Sequence, residues 1–471
     1  MYILVLESST SSAKALLYCT EKGVIDIKTK TYLTQYNDIE TQDADGVFNQ
    51  TIELGRQVSE GYEIDAVSLC GTWHSVVVCD KDMHPKTRTL SWTYTGAAEI
   101  AKKLREDKDF TNNFYQKTGC MVNATYPAFK LMHLKEEGLS LHNSYIAGQG
   151  SYNYYRLTGE RVVTESMASG SGLLNIHTKK YDEAILEMIG IKEEQIGRII
   201  NFSQTYPLNE EGANLLGIKK GIPVIAANPD GALNQVGAGA LKDGVMTFSV
   251  GTSAAIRLTV PKPVLPGTPS TWCYLSPISW LSGAATSGAC NCIDWIKGKM
   301  FDKSVSYSDI EKQDVDIKNL PVFMPFLYGE RCPGWQDSRL ASFHDVRASH
   351  KPADFYYSVM EGVLFNIYHC YKSLKTLNGE PNKIKLSGGI LNSRIWTQMC
   401  CDIFGKEMEI SKLEQTSVLG GVVLALKVLG IINDIKEFSF EDGEMIYPNH
   451  EKRDMYTEKF QKYKYWYEKT M

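Results

Sequence analysis

The sequence predicts an α/β fold built by internal duplication, and two patterns carry that expectation. The first is a repeated hairpin. Residues 2–17 and 246–258 each read as an apolar strand, a tight turn rich in Gly, Ser and Thr, and a second strand that ends apolar. This shape suits the holding of phosphate, and its recurrence halfway along the chain implies two related units with a seam near 239–244. The second pattern mixes short strands, expected over 66–70, 75–79 and 224–227, with helical stretches over 96–104 and 128–137.

The later elements follow in order. A Gly-rich segment at 281–292 precedes a loop with two prolines at 323–335. The spacing of apolar residues predicts a long amphipathic helix over 353–377, then a strand, a Ser-Gly-Gly turn and another helix from 384 onward. The apolar stretch 418–432 carries Gly420, Gly421 and Lys427 and is too short to span a bilayer, so it reads as a buried helix. The tail, 453–471, alternates aromatic and charged residues at helical spacing and is expected to pack back on the body.

Bulk properties exclude several classes. With 471 residues and 43% hydrophobic content the chain can bury a large core, which argues against disorder. Its charge of −5 comes from 55 acidic and 50 basic residues with no basic block, so nothing points to nucleic acid. The 11 cysteines lack redox or zinc-ribbon spacing and read as reduced core thiols. No basic and apolar leader precedes the first strand, so a cytoplasmic protein with no membrane partner is expected.

Five segments could carry chemistry. Gly388 and Gly389 follow a strand and open a helix, where a missing Cβ lets a nucleotide approach and helix N–H groups face it; Asn392 lies in the same turn. An ordinary strand-to-helix turn uses glycine as readily. Gly251, Thr252 and Ser253 offer a turn with two hydroxyls for phosphate oxygens, or a hairpin that satisfies its own backbone. Glu7, at a strand end beside the hydroxyls of Thr10 and Ser11, sits where a hydrated Mg²⁺ would bridge protein and nucleotide, or is a solvated strand-end charge. Asp230 follows the strand at 222–227, where ligands bind in α/β sheets. There it could act as the base for a hydroxyl in phosphoryl transfer, or simply start a helix. Trp73 and His74 follow the strand at 66–70.

In order and spacing these segments resemble the FGGY family of carbohydrate kinases, nearly end to end. The first hairpin is similar to that family's Asp-x-Gly-Thr-Thr/Ser motif, and Gly71-Thr72-Trp73-His74-Ser75 to its substrate-side segment. Residues 157–160 and 165–170 resemble its sugar-domain signature, and 223–239 the segment with its catalytic Asp, here Asp230. Residues 326–333 resemble its Gly-Glu-Arg-x-Pro loop, and 387–402 with 419–421 its nucleotide-binding signature.

The resemblance implies two actin-like, ribonuclease H-like domains, 1–242 for the sugar and 243–471 for the nucleotide, closing on a cleft. It further implies ATP and Mg²⁺, with Glu7 and Asp230 toward the metal, Trp73, His74 and Asp230 toward the substrate, and a homodimer as one compatible assembly. Gluconate or a ketopentose such as xylulose is the expected substrate, with ATP-dependent phosphorylation of its hydroxyl. Two other readings stay open: a binding protein of this fold that has lost catalysis, and another actin-like ATPase.

Four departures bear on that reading. Glu7 replaces the family's Asp and reaches about 1.5 Å further. Ser9 replaces a glycine, which would bring strain if the position needs positive φ. Glu165 stands for a usual Asp. Where relatives often carry Trp-x-Asp-x-Arg, this chain reads Trp92-Thr93-Tyr94-Thr95-Gly96, so a charged pair is missing, and Arg88, Lys130 and Arg331 are the candidate cations for a carboxylate substrate.

Overall fold

The structure is a computed structural model that describes every residue except 39, 411–414, 437, 439, 441–442 and 471. Two mixed sheets organise it. The first contains β1 (Tyr2–Ser8), β2 (Ser12–Cys19), β3 (Gly23–Thr31), β4 (Ile64–Gly71), β5 (Tyr206–Pro207) and β6 (Pro223–Pro229), in the order β5–β6–β4–β1–β2–β3. The second contains β7 (Val245–Val250), β8 (Ala254–Val260), β9 (Trp272–Leu275), β10 (Trp280–Thr286), β11 (Lys383–Ser387), β12 (Met408–Ile410) and β13 (Glu444–Ile446), in the order β9–β10–β8–β7–β11–β12–β13.

The duplication therefore extends well beyond the hairpins. In the first sheet β1, β2 and β3 form an antiparallel meander, and β4 and then β6 add parallel to β1. In the second, β7, β8 and β10 repeat the meander, and β11 and β12 add parallel to β7. The seam expected at 239–244 falls between these two arrays.

Six helices position the site: α1 (Ala44–Ser59), α2 (Asp230–Gly237), α3 (Pro352–Asn378), α4 (Arg394–Phe404), α5 (Thr416–Val428) and α6 (Arg453–Lys469). β1 is apolar on both faces because both are covered. Leu4 and Leu6 join Phe48 and Ile52 of α1 in one core, while Ile3 and Val5 join Val418 and Val422 of α5 in another. The apolar stretch expected at 418–432 is a buried helix against the first sheet only as far as Val428; Gly430 and Ile431 lie beyond its end and are exposed. The tail also packs back, with Tyr456, Phe460, Tyr463 and Tyr467 buried on α6. Among the described residues no helix is long and apolar enough to cross a membrane. All eleven cysteines are free thiols, and every one but the partly exposed Cys290 is buried.

Helices α2 and α5 follow equivalent strands, β6 and β12, and cross where the halves meet. Their backbones touch. A Cβ on Gly237 would lie 2.0 Å from the Thr416 carbonyl oxygen, and one on Gly420 would lie 2.1 Å from that of Leu233. Only glycine fits at either point. Gly420→Ala is expected to lower stability by about 1–3 kcal/mol, as overpacking against rigid backbone does, which a denaturant titration would read as an earlier midpoint. Gly298→Ala, on a helix with nothing within 4 Å of the new methyl, is expected to hold or raise the midpoint.

Candidate active site

The register of the first hairpin sets its charges. Glu7 pairs across the ladder with Lys14, so the two side chains share a face. Lys14 Nζ donates to Glu7 Oε1 at 2.9 Å, and Ser417 on α5 donates its hydroxyl to Oε2. Glu7 thus engages the other half of the molecule. Burial works against the Lys14 ammonium, but attraction and a hydrogen bond from Glu7, with Asp230 behind, leave its pKa above the ordinary value.

The turn that follows shows no strain at Ser9. Its φ is not positive, and its hydroxyl donates to the Ser12 carbonyl at 2.7 Å while its N–H bonds the same oxygen at 3.0 Å. Serine therefore closes this turn as well as a glycine would. Thr10 is anchored by Trp92, whose Nε1 donates to its hydroxyl at 2.8 Å, and Ser11 is exposed at the tip.

Asp230 is the first residue of α2, at the carboxyl end of β6, and the Gly231 N–H donates to its Oδ1 at 2.7 Å. Burial and the nearby Glu7 carboxylate push its pKa up to about 6, against the opposing pull of Gly231, Arg257 and Lys14. It lines a cavity of about 230 Å³ together with Thr10, Trp73 and His74 from the first half and Ser253, Arg257, Trp272, Tyr274 and Arg331 from the second. The two hairpins and the carboxylate thus open on one space.

Trp73 and His74 are held by their surroundings. Trp73 Nε1 donates to the Ser166 carbonyl at 2.9 Å, and a Cβ on Gly170 or Gly231 would lie within 2.6 or 2.7 Å of its ring. His74 adopts φ 66° and places Nδ1 2.5 Å from the Gly170 carbonyl. Burial lowers its pKa to about 3, so the ring is neutral, Nδ1–H donates, and Nε2 is left as an acceptor. The 165–170 signature also ties the halves together: Ser166 donates to the Leu275 carbonyl and Ser169 accepts from the Leu275 N–H, at 2.8 and 2.9 Å. Trp272 and Tyr274 stack with centroids 4.3 Å apart, and Trp73 leans on Tyr274 at 5.1 Å, which makes an aromatic floor.

Of the candidate cations only Arg331 reaches the cavity, with its guanidinium 5.7 Å from the Trp92 ring centroid. Its charge reaches the cavity from the second half of the chain. Arg88 instead bonds Thr41 at the surface. Lys130 is 0% exposed and donates to the His74 and Ser91 carbonyls. Burial holds its pKa well below the ordinary value, so it is a structural clamp under the cavity.

The remaining candidates gather beside the second hairpin. Ser249 of β7 pairs with Ser387 of β11, which brings Gly251, Thr252 and Ser253 next to Gly388, Gly389 and Asn392. Gly388 has φ 97°, and a Cβ there would meet the Val250 carbonyl oxygen at 2.4 Å. Gly251 has only the Ser253 carbonyl oxygen, at 3.9 Å, near its own virtual Cβ. Apart from its chain neighbours nothing else lies within 4 Å of that position, which leaves room for close approach of a ligand. Gly388, Gly389 and Asn392 lie outside the 230 Å³ cavity, at the exposed end of β11.

Lys14, Arg257, Trp272 and Tyr274 were not singled out from the sequence. Lys14 faces Glu7 by counting equally from the turn. Arg257 is a lone charge in the apolar strand just after a phosphate-type turn, and Trp272 and Tyr274 share a face by their spacing of two.

Duplicated sheets around a shared cavity define a two-domain, actin-like ATPase architecture, and comparisons with known proteins agree. The model of the FGGY family of carbohydrate kinases, N-terminal domain, matches residues 2–237, and that of its C-terminal domain matches 246–428. A gluconokinase of Bacillus licheniformis is 27% identical over 454 residues, covering 92% of this chain and 88% of its own. Gluconate kinase from Lactobacillus acidophilus superposes with a TM-score of 0.92 at 27% identity, covering 98% of this chain and 96% of that one. Xylulose kinase from the same organism gives 0.93 at 26%, with the same coverage. The chain belongs to the FGGY family of carbohydrate kinases. It is a phosphotransferase.

The raised pKa of Asp230 has a consequence for stability. The folded protein holds this proton more tightly than the unfolded chain, so ionising Asp230 opposes folding. That opposition is absent below the unfolded value of 3.8 and complete above about 6. Asp230→Asn is therefore expected to melt higher than wild type at about pH 8, with the gap closing toward about pH 4; thermal melts across that range test it.

Proposed function

We propose that the protein transfers the γ-phosphoryl group of ATP to a hydroxyl of gluconate or a ketopentose such as xylulose, with Asp230 as general base. One observation carries this reading: a carboxylate whose pKa is raised to about 6 lines the same cavity as Thr10 and Ser253, one hydroxyl from each hairpin. A base poised near neutrality accepts a proton as the acceptor oxygen bonds to phosphorus. The bond from phosphorus to the bridging oxygen of ADP breaks, and the proton stays on Asp230.

The remaining residues position and neutralise, which is most of what phosphoryl transfer needs. Thr10, Ser11, Thr252 and Ser253 orient phosphate oxygens. Lys14 supplies positive charge beside them. Gly251, Gly388, Gly389 and Asn392 line the nucleotide path. Trp73 and the aromatic floor hold the C–H face of the sugar, and His74 Nε2 accepts from one of its hydroxyls.

The donor set suits Mg²⁺, since Glu7 and Asp230 are close enough for Glu7 to raise the Asp230 pKa and both offer only oxygen. They would hold the ion, Glu7 through water because Lys14 and Ser417 take its oxygens, and the ion would neutralise phosphate charge. Residues 1–242 would carry the sugar and 243–471 the nucleotide, with the sugar cavity completed by β8, β9 and Arg331. The reaction is placed in the cytoplasm.

Asp230→Asn is expected to lose about 10²–10⁴ in turnover while ATP still binds. A coupled assay for ADP with a sugar, polyol and aldonate panel, alongside nucleotide titration, measures both; near-normal turnover would refute the role of Asp230. In the wild type kcat/KM is expected to fall about tenfold per pH unit below about pH 6, as Asp230 takes up its proton.

A further inference from the structure

Two guanidinium groups open on the cavity with nitrogens that have nothing to bond. Nε and Nη1 of Arg257 are buried without a hydrogen-bond partner among the described residues, and so is Nε of Arg331. A buried donor left unpaired costs about 1–3 kcal/mol, more when charged. Such groups on the wall of a ligand cavity mark where an acceptor belongs.

The charges nearby show which acceptor. Among the described residues Asp230 is the one carboxylate that lines the cavity, and no ion pair joins it to either arginine. Glu7 is engaged by Lys14 and Ser417. Glu330, the chain neighbour of Arg331, takes Arg339 at 2.8 Å, the Tyr467 hydroxyl and the Gly334 N–H. His74 is neutral, and Lys130 faces carbonyls. Two guanidiniums therefore stand against one carboxylate.

The arginines also work against each other. Burial lowers the Arg257 pKa, Asp230 raises it again, and Arg331 adds to the drop. A neutral hydroxyl between them would relieve none of this repulsion. A carboxylate would, and its planar pair of oxygens matches the guanidinium fork.

We propose that Arg257 and Arg331 form a carboxylate subsite and that the acceptor is an aldonate rather than a ketopentose or polyol. This rests on the kinase reading above and narrows it. The other anion that would enter the cavity is the terminal phosphate of ATP, for which the proposed function assigns the hydroxyls of Thr10 and Ser253 on the same wall.

Kinetics and binding on the full-length protein test the assignment. Wild type is expected to favour D-gluconate over D-glucitol, which carries CH₂OH in place of the carboxylate, by at least about 10²-fold in kcat/KM. Arg257→Gln and Arg331→Gln are each expected to raise the KM for gluconate about 10–10²-fold while the KM for ATP stays within about twofold. Arg331→Lys, which keeps the charge without the fork, is expected to recover part of the loss, and thermal melts check that every variant folds. Preference for xylulose or glucitol would overturn the proposal. So would a rise in the KM for ATP that is the same for every acceptor, which would assign the guanidiniums to phosphate. Calorimetry with gluconate and no nucleotide separates the two readings. Binding that needs both arginines, without turnover, would keep the subsite and sink the kinase reading; turnover without arginine-dependent binding would do the reverse.

Discussion

The crossing of α2 and α5 is the constraint on which the rest depends. Helices from the two halves touch backbone to backbone only because Gly237 and Gly420 present no side chain. Asp230 begins one of these helices, and Ser417, in the first turn of the other, bonds Glu7. Both carboxylates belong to the first half, Glu7 on β1 and Asp230 after β6, with β4 paired between those strands, and the crossing adds a bond from the second half to Glu7; burial and the repulsion between the two carboxylates raise the Asp230 pKa.

The cavity concentrates what the rest of the fold avoids. His74 sits at positive φ, Asp230 is ionised against its surroundings, and nitrogens of two guanidiniums have no hydrogen-bond partner among the described residues. Each is unfavourable alone, and such features gather where ligand binding repays them. Around them several side chains are tied down: Trp73 bonds Ser166, Tyr126 bonds Tyr274 across the halves at 2.7 Å, and Lys130 spans the His74 and Ser91 carbonyls. The stiffness of this frame keeps strained groups in place.

Much of this was legible in the sequence, because its signals are local. Hairpins, the Gly388 turn and the strand into Asp230 are each set by residues within a few positions, and the duplication showed as two similar hairpins. Long helices such as α3 were visible from apolar spacing; the observed bounds, Pro352–Asn378, differ by one residue at each end from those expected. The strand expected at 75–79 begins only at Val77, because the turn through His74 needs a left-handed residue that no local pattern announces. Arg257, Trp272 and Tyr274 were missed for a different reason. Their role exists only where β8 and β9 of one half face Trp73 of the other, and that meeting is tertiary. Arg88, Lys130 and Arg331 could not be ranked without knowing burial, which reduced three cations to one.

Trp272 differs from its neighbours in how it is kept. Its indole Nε1 has no partner among the described residues, its ring stacks on Tyr274, and Gly283 beneath it gives way where any Cβ would collide at 2.3 Å. Trp73 and Tyr274, by contrast, are each tethered by a hydrogen bond. The floor thus has one panel that is merely laid in place between fixed ones. Exchange of that panel alone would reshape this wall of the cavity while both tethers stay intact.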